Sequence, residues 1–117
     1  MERAKNDRIK SSNMRDIIRK AIVETAEELG VEVKEIILFG SRARGDFRKD
    51  SDWDVLVVTK ERIPRHVELE LYKLVHRKLL FNGIKADILI ISKDELEKVK
   101  DNKAYVYYYA LKEGIKV

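Results

Sequence analysis

The sequence contains no cysteine, which excludes disulfide bonds and metal sites built from thiolates. It also contains no apolar run near the roughly 20 residues that a membrane-spanning helix needs. No hydrophobic signal segment follows the polar N-terminus, and there are no internal repeats or low-complexity tracts. These absences lead us to expect a cytoplasmic protein with no membrane partner.

Charge is abundant but unevenly distributed. Charged residues make up 39% of the 117 residues and hydrophobic residues 44%, which suits one soluble domain with a buried core. The formal net charge of +4 arises within residues 1–20, where seven basic residues face three acidic ones. We therefore separate a basic N-terminal arm, residues 1–10, from a single domain over residues 11–117. Such an arm can contact nucleic acid, but a solvated terminus is the simpler explanation, so a nucleic-acid partner is not expected.

Hydrophobic periodicity predicts both strands and helices. Three short apolar runs predict strands over residues 35–39, 53–58 and 86–91. Apolar residues at helical spacing predict a first helix that starts near residues 11–13 and ends at Gly30. Further helices are predicted over residues 64–81 and 104–112, with short helical turns at 41–43 and 94–96. The alternation predicts an α/β fold in which helices flank a small mixed sheet of three or four strands.

Two aspartates, Asp52 and Asp54, stand one residue apart at the start of the second predicted strand. Side chains alternate along a strand, so the two carboxylates point to the same side while Trp53 points to the other. Carboxylates this close repel each other unless a cation lies between them, and hard oxygen ligands suit Mg²⁺ or Mn²⁺. Taken alone, the pair would more simply mark the surface end of a strand.

The segment before these aspartates has the residues that a phosphate site needs. Gly40 and Ser41 directly follow the first predicted strand, and Gly45 comes soon after. Glycine permits tight backbone geometry and close approach, while N–H groups at a helix start and the Ser41 hydroxyl can donate to phosphate oxygens. Arg42 and Arg44 supply positive charge within reach. A glycine–serine pair alone is usually just a turn, so the spacing to the aspartates carries the signal.

A third carboxylate would complete a two-metal site, and Asp87 is the best candidate. It begins the apolar strand over residues 86–91 in the same way that Asp54 begins its own strand. If the two strands are neighbours, all three aspartates meet at one end of the sheet. The alternative is an ordinary acidic residue at a strand edge.

Residues 36–58, with Asp87 as outlying support, resemble the catalytic signature of the nucleotidyltransferase superfamily that includes DNA polymerase beta. The resemblance is carried by Gly-Ser-x-Ala-Arg-Gly followed by Ser-Asp-x-Asp. The chain length is similar to that of minimal nucleotidyltransferase (MNT) domains, the antitoxin type that is paired with HEPN-domain toxins. This resemblance implies the polymerase beta-like nucleotidyltransferase fold.

The resemblance also implies a role for each candidate residue. Gly40 and Ser41 would hold ATP or another nucleoside triphosphate. Asp52 and Asp54 would ligate two Mg²⁺ ions, for which Mn²⁺ can substitute, and Asp87 would be a third ligand that orients and deprotonates the acceptor hydroxyl. One ion would activate the attacking oxygen while the other stabilises the leaving oxygen.

The implied reaction is transfer of a nucleoside monophosphate, AMP from ATP, to a hydroxyl, with pyrophosphate leaving. By resemblance the acceptor is a tyrosine of a HEPN-domain toxin, and this chain is the antitoxin. Larger relatives carry an extra domain that recognises the acceptor, so we expect a partner protein to supply it, or another subunit of a homo-oligomer to complete the nucleotide pocket. Two alternatives stay open: a binding-only antitoxin that blocks its toxin sterically, and a stand-alone transferase that acts on a small molecule or an RNA end.

Overall fold

The computed structural model describes the backbone of residues 2–117 and the side chains of residues 13–117. In chain order the elements are α1 (Glu2–Glu28), β1 (Val33–Phe39), α2 (Gly40–Arg44), β2 (Trp53–Thr59), α3 (Arg65–Phe81), β3 (Ala86–Ser92), α4 (Lys93–Val99), α5 (Val106–Glu113) and β4 (Ile115–Lys116). The predicted α/β class, with a mixed four-stranded sheet flanked by helices, is confirmed. None of the helices in this range is long and apolar enough to cross a membrane.

The sheet has the strand order β3-β2-β1-β4. β1 runs antiparallel to both of its neighbours, whereas β2 and β3 are parallel. The parallel pairing follows from the chain path, because α3 carries the chain from the end of β2 back to the start of β3. As a result, the starts of β2 and β3 lie at the same edge of the sheet as the end of β1.

Different helices cover the two faces of the sheet. On one face Leu38, Trp53 and Val55 pack with α1 and α3. On the other face Ile37 and Leu56 pack with α4 and α5. Neighbouring residues of β2 thus serve opposite cores, as the two-residue period of a strand requires. Each fully buried large aliphatic side chain contributes about 1.5–3 kcal/mol of hydrophobic stabilisation.

The first helix begins earlier than the sequence pattern predicts. The predicted start among residues 11–13 is wrong, because α1 is already helical there and extends back to Glu2. Residues 2–10 contain glutamate, arginine, alanine and lysine, all good helix formers that allow the helix to continue. The predicted basic arm includes Met1, which lies outside the described residues, as do the side chains of the rest of the arm. Its proposed role therefore stays a prediction.

A short strand near the C-terminus was not predicted. β4 contains only Ile115 and Lys116, too few residues to show a strand period, and it pairs with β1. The preceding Gly114 passes so close to β1 that a side-chain carbon there would run into Ile37 and the carbonyl of Ala110. This close approach lets the chain turn from α5 directly into β4.

Candidate active site

The end of β1 and the starts of β2 and β3 bring the predicted carboxylates together. The last residue of β1 lies opposite Asp54, and Asp54 lies opposite Asp87. Neighbouring strands are about 4.8 Å apart, so these two side chains leave the sheet side by side. Trp53 and Ala86 point into the core with α1 and α3, so Asp54 and Asp87 point to the opposite face. We call this region, with the adjoining Asp52, the aspartate edge.

Burial and the repulsion between negative charges both act on the carboxylates of the aspartate edge. Asp54 is half-buried, whereas Asp52 and Asp87 are exposed. Burial raises the pKa of Asp54, and the charges of Asp87 and Asp52 raise it further. Arg44 is near enough to oppose this rise in the pKa of Asp54 in part. The three carboxylates are therefore close enough to interact, and their unbalanced charge favours a bound cation.

The backbone geometry explains why a glycine precedes Ser41. Gly40 has φ of +74°, a left-handed conformation that side chains other than glycine adopt at a cost. A Cβ at this position would run into the Asp54 carboxylate. Among the described residues no side chain caps the start of α2, so its first N–H groups can donate to a phosphate. Ser41 is half-buried beside them, and Gly45, with φ of +84°, ends α2.

Arg44 connects the phosphate segment to the last helix. Its Nη1 atom lies 3.6 Å from Oε2 of Glu113 in α5, and its Nε atom lies 3.3 Å from Oδ2 of Asp46. Arg44 is exposed and lies near Asp54, and its contact with a phosphate stays a prediction. Nothing in the sequence marks Glu113, since only the packing of α5 against α2 brings it to this place.

Arg42 is engaged with the loop between α2 and β2. Its Nε and Nη2 atoms donate to the Ser51 carbonyl at 3.1 and 3.0 Å, and Nη2 also donates to the Lys49 carbonyl at 3.2 Å. Its guanidinium carbon lies 4.2 Å from the ring centre of Phe47 and 5.1 Å from that of Trp53. These contacts hold the loop between α2 and β2, and the phosphate contact of Arg42 stays a prediction.

The carboxylates of the aspartate edge fit a magnesium ion that keeps part of its water shell. Among residues 13–117, no three histidine, cysteine or acidic side chains form a ready-made metal site. Mg²⁺ usually binds through one or two carboxylates together with waters and substrate phosphates, so such a cage is not required. Asp54 and Asp87 are the pair that would bind the ion, and the negative charges of Asp87 and Asp52 contribute, after burial, to the raised pKa of Asp54.

A cleft of about 360 Å³ lies at the opposite edge, where β2 and β3 end. Its charges are already paired, because Arg62 Nε lies 2.8 Å from Glu95 Oε1 and Arg65 Nη1 lies 3.4 Å from Glu68 Oε1. We call these two ion pairs the paired edge. Since they leave no net charge to attract a phosphate or a metal, the aspartate edge is the better candidate.

A known protein family matches the part of the chain that contains the aspartate edge. The family described as a nucleotidyltransferase domain matches residues 18–117, a range that contains every predicted site residue. A protein of Methanocaldococcus jannaschii that carries the name protein adenylyltransferase is 36% identical over 75 residues. The matched segment covers 64% of this chain and 72% of that protein.

Solved structures share the fold. A Sulfolobus solfataricus protein named as a nucleotidyltransferase has a TM-score of 0.50 and 26% identity, with 80% of each chain covered. A toxin–antitoxin structure with AMP-PNP has a TM-score of 0.56 and 15% identity, covering 83% of this chain and 69% of that one. A mutant of the MntA-HpeT toxin–antitoxin has a TM-score of 0.53 and 13% identity, covering 81% and 67%. At such low identity the last two show the fold alone.

Proposed function

This chain belongs to the nucleotidyltransferase domain family, and we propose that it transfers AMP from ATP to a hydroxyl on a partner protein. The choice of AMP is supported by the M. jannaschii relative that carries the name protein adenylyltransferase. The proposed acceptor is a tyrosine of a HEPN-domain toxin, which would make this chain the antitoxin of a toxin–antitoxin pair.

The observation that carries this proposal is the meeting of Asp54 and Asp87 next to the close backbone approach at Gly40. The two carboxylates, with Asp52, would hold Mg²⁺ ions. Bound Mg²⁺ supplies positive charge to the triphosphate and to the oxygen that leaves with pyrophosphate. Ser41 and the N–H groups of α2 would donate to the triphosphate from the other side.

In the proposed reaction the acceptor oxygen bonds to the α-phosphorus of ATP. The bond between that phosphorus and the oxygen bridging to the β-phosphate breaks, and its electron pair leaves with pyrophosphate. Asp87, which is exposed, would take the hydroxyl proton, and Asp54, as a ligand of Mg²⁺, would help to keep the nucleotide in line for attack. The exposed Arg44 adds positive charge beside the phosphates.

The toxin partner is proposed from the sequence resemblance and from the fold shared with toxin–antitoxin structures. Val106 and Tyr109 of α5, with Tyr105 directly before the helix, are exposed over 44, 47 and 46% of their surfaces. Exposed aromatic side chains are enriched in protein interfaces, so this face is the proposed contact with the partner. A second copy of this chain that completes the nucleotide pocket is the alternative arrangement.

The test is to follow label from α-labelled ATP into a co-expressed HEPN-domain toxin. We expect Asp54→Asn to lower the transfer rate by at least about a hundredfold, because loss of one preorganised electrostatic group costs about 10²–10³ in rate. Glu95→Gln, which neutralises a carboxylate at the paired edge, should leave the rate unchanged. Full labelling by the Asp54→Asn variant would overturn the assigned role of this aspartate.

The same experiment separates the alternatives. Toxin neutralised without label, by parent and variant alike, would identify a binding-only antitoxin. Label transferred to RNA or a small molecule by the purified single chain would identify a stand-alone transferase.

A further inference from the structure

One arginine of the signature does not have the contacts of a phosphate ligand. The Arg42 guanidinium makes three hydrogen bonds to two carbonyls of the loop that leads into β2. Two of them form a fork on the Ser51 carbonyl, and the flat group lies against the rings of Phe47 and Trp53. The three hydrogen bonds and the two ring contacts would all be lost if the Arg42 side chain turned toward a nucleotide.

These contacts enclose Asp52. The carbonyl that accepts the fork belongs to the residue before it, and the indole ring under the guanidinium belongs to the residue after it. Asp52 precedes β2 and therefore has no strand partner of its own, whereas Trp53 is held by its N–H bond to the Lys85 carbonyl at 2.9 Å. Ser51 is fixed further by its Oγ, which accepts from the Arg48 N–H at 2.8 Å. The position of Asp52 thus depends on the hydrogen bonds from Arg42 to the Ser51 carbonyl.

We propose that Arg42 is a positioning residue that fixes the Ser51–Asp52 peptide and so sets where the Asp52 carboxylate meets a divalent cation. The role needs an arginine, because a guanidinium can donate two parallel hydrogen bonds and stack on aromatic rings, and a lysine ammonium cannot do both. Burial lowers the pKa of Arg42, while Asp50 and Asp52 favour its charged form, which is consistent with a cation placed inside this loop.

The inference rests on the proposed function for its effect on catalysis, but the contact of Arg42 with the loop can be measured without any activity. Trp53 is the single tryptophan of the chain and is only 2% exposed. Its fluorescence therefore reports directly on the contact with Arg42. Arg42→Lys is the conservative variant, and Arg42→Gln is a second one in case the first repacks the loop. Arg62→Lys, at the paired edge, is the matched control.

We expect both Arg42 variants to stay folded by circular dichroism, while acrylamide quenches Trp53 more strongly than in the parent protein. We also expect the Mn²⁺ concentration that gives half-maximal binding to rise about 10–100-fold, the usual cost of losing a group that orients a metal ligand. The transfer rate at saturating metal should recover to near the parent rate, and the KM for ATP at saturating metal should not change. Arg62→Lys should match the parent protein in all of these measurements.

Two results would overturn the proposal. Unchanged quenching of Trp53 in both Arg42 variants would mean that Arg42 does not hold the loop. A raised KM for ATP at unchanged metal affinity would mean that Arg42 contacts the nucleotide instead. If the parent protein shows no transfer at all, the proposed function fails, and the quenching and Mn²⁺ measurements still decide the role of Arg42.

Discussion

At the aspartate edge, three carboxylates lie near one another with Arg44 as a partial counter-charge, whereas at the paired edge each glutamate has its own arginine. The two edges belong to the same strands, β2 and β3. Their carboxylates nevertheless respond in opposite ways: the pKa of Asp54 is raised by burial and by its acidic neighbours, and the pKa of Glu95 is lowered chiefly by its hydrogen bond from Arg62.

This difference shows that a cleft alone does not identify the better candidate site in this protein. The paired edge has a cleft of about 360 Å³, but its charges are already paired with one another. At the aspartate edge Arg44 opposes the negative charge only in part. Charge that the protein does not balance itself is what a cation or a metal-bound nucleotide can use.

The largest effect at the aspartate edge is expected from filling the space at Gly40. Gly40→Ala puts a methyl group into the Asp54 carboxylate, so we expect it to abolish transfer and to lower the free energy of unfolding by about 1–3 kcal/mol of overpacking. A further 1–2 kcal/mol comes from the left-handed backbone. Chemical denaturation and the labelling assay measure the two effects.

Gly83→Ala is the matched control for this prediction. Gly83 has φ of +75°, close to the +74° of Gly40, but a side-chain carbon there would meet nothing within 4 Å. Gly83→Ala should therefore lower the free energy of unfolding only by the cost of the left-handed backbone. In an Asp54→Ala background the cost of Gly40→Ala should fall to that of Gly83→Ala. Equal costs for both glycine variants in the parent background would contradict the predicted clash.

The pH dependence of stability should differ in sign between the two edges of the metal-free protein. Between the ordinary Asp pKa of 3.8 and its raised value, native Asp54 keeps a proton that the unfolded chain has released. Stability therefore falls as pH rises through this window, and Asp54→Asn should remove that fall.

For Glu95 the lowered pKa gives the opposite sign, because the unfolded chain binds the proton first. Stability falls as pH drops below the ordinary value of 4.5, and Glu95→Gln should remove this loss. Melting temperatures of the parent and both variants across this acidic range check both signs. The same slope in both variants would mean that the two edges do not differ in charge balance.

The smallest effect is expected from breaking the exposed Arg62–Glu95 pair. Arg62→Gln should leave transfer unchanged and lower the melting temperature only slightly, because solvent screens an exposed ion pair. Added salt should reduce even that small difference. A loss of transfer comparable to that of Asp54→Asn would show that the paired edge takes part in function.

Local patterns were enough to predict most of the fold. The three strands predicted from apolar runs and the helix predicted over residues 64–81 depend on a few neighbouring residues, and the structure agrees. The same applies to the alignment of Asp54 with Asp87, since each is the second residue of its strand and the two strands are parallel neighbours.

The remaining features depend on contacts between distant segments. The engagement of Arg42 with Trp53 and Phe47, and that of Arg44 with Glu113, need the loop and α5 to be in place first. No spacing in the sequence encodes either contact. This is why two arginines of one motif looked equivalent in the sequence and differ in the structure.

The register of the sheet also sets the order in which the site can assemble. β1 and β2 pair across the short segment that holds Gly40 and Asp52, whereas Asp87 reaches Asp54 only after α3 has carried the chain back to the sheet. Closing the shorter loop costs less entropy, so we expect the glycine turn and the first two aspartates to form early in folding. The last step then brings a like charge toward Asp54. Divalent cations should therefore speed that step, and the metal of the proposed reaction would also help the site to fold.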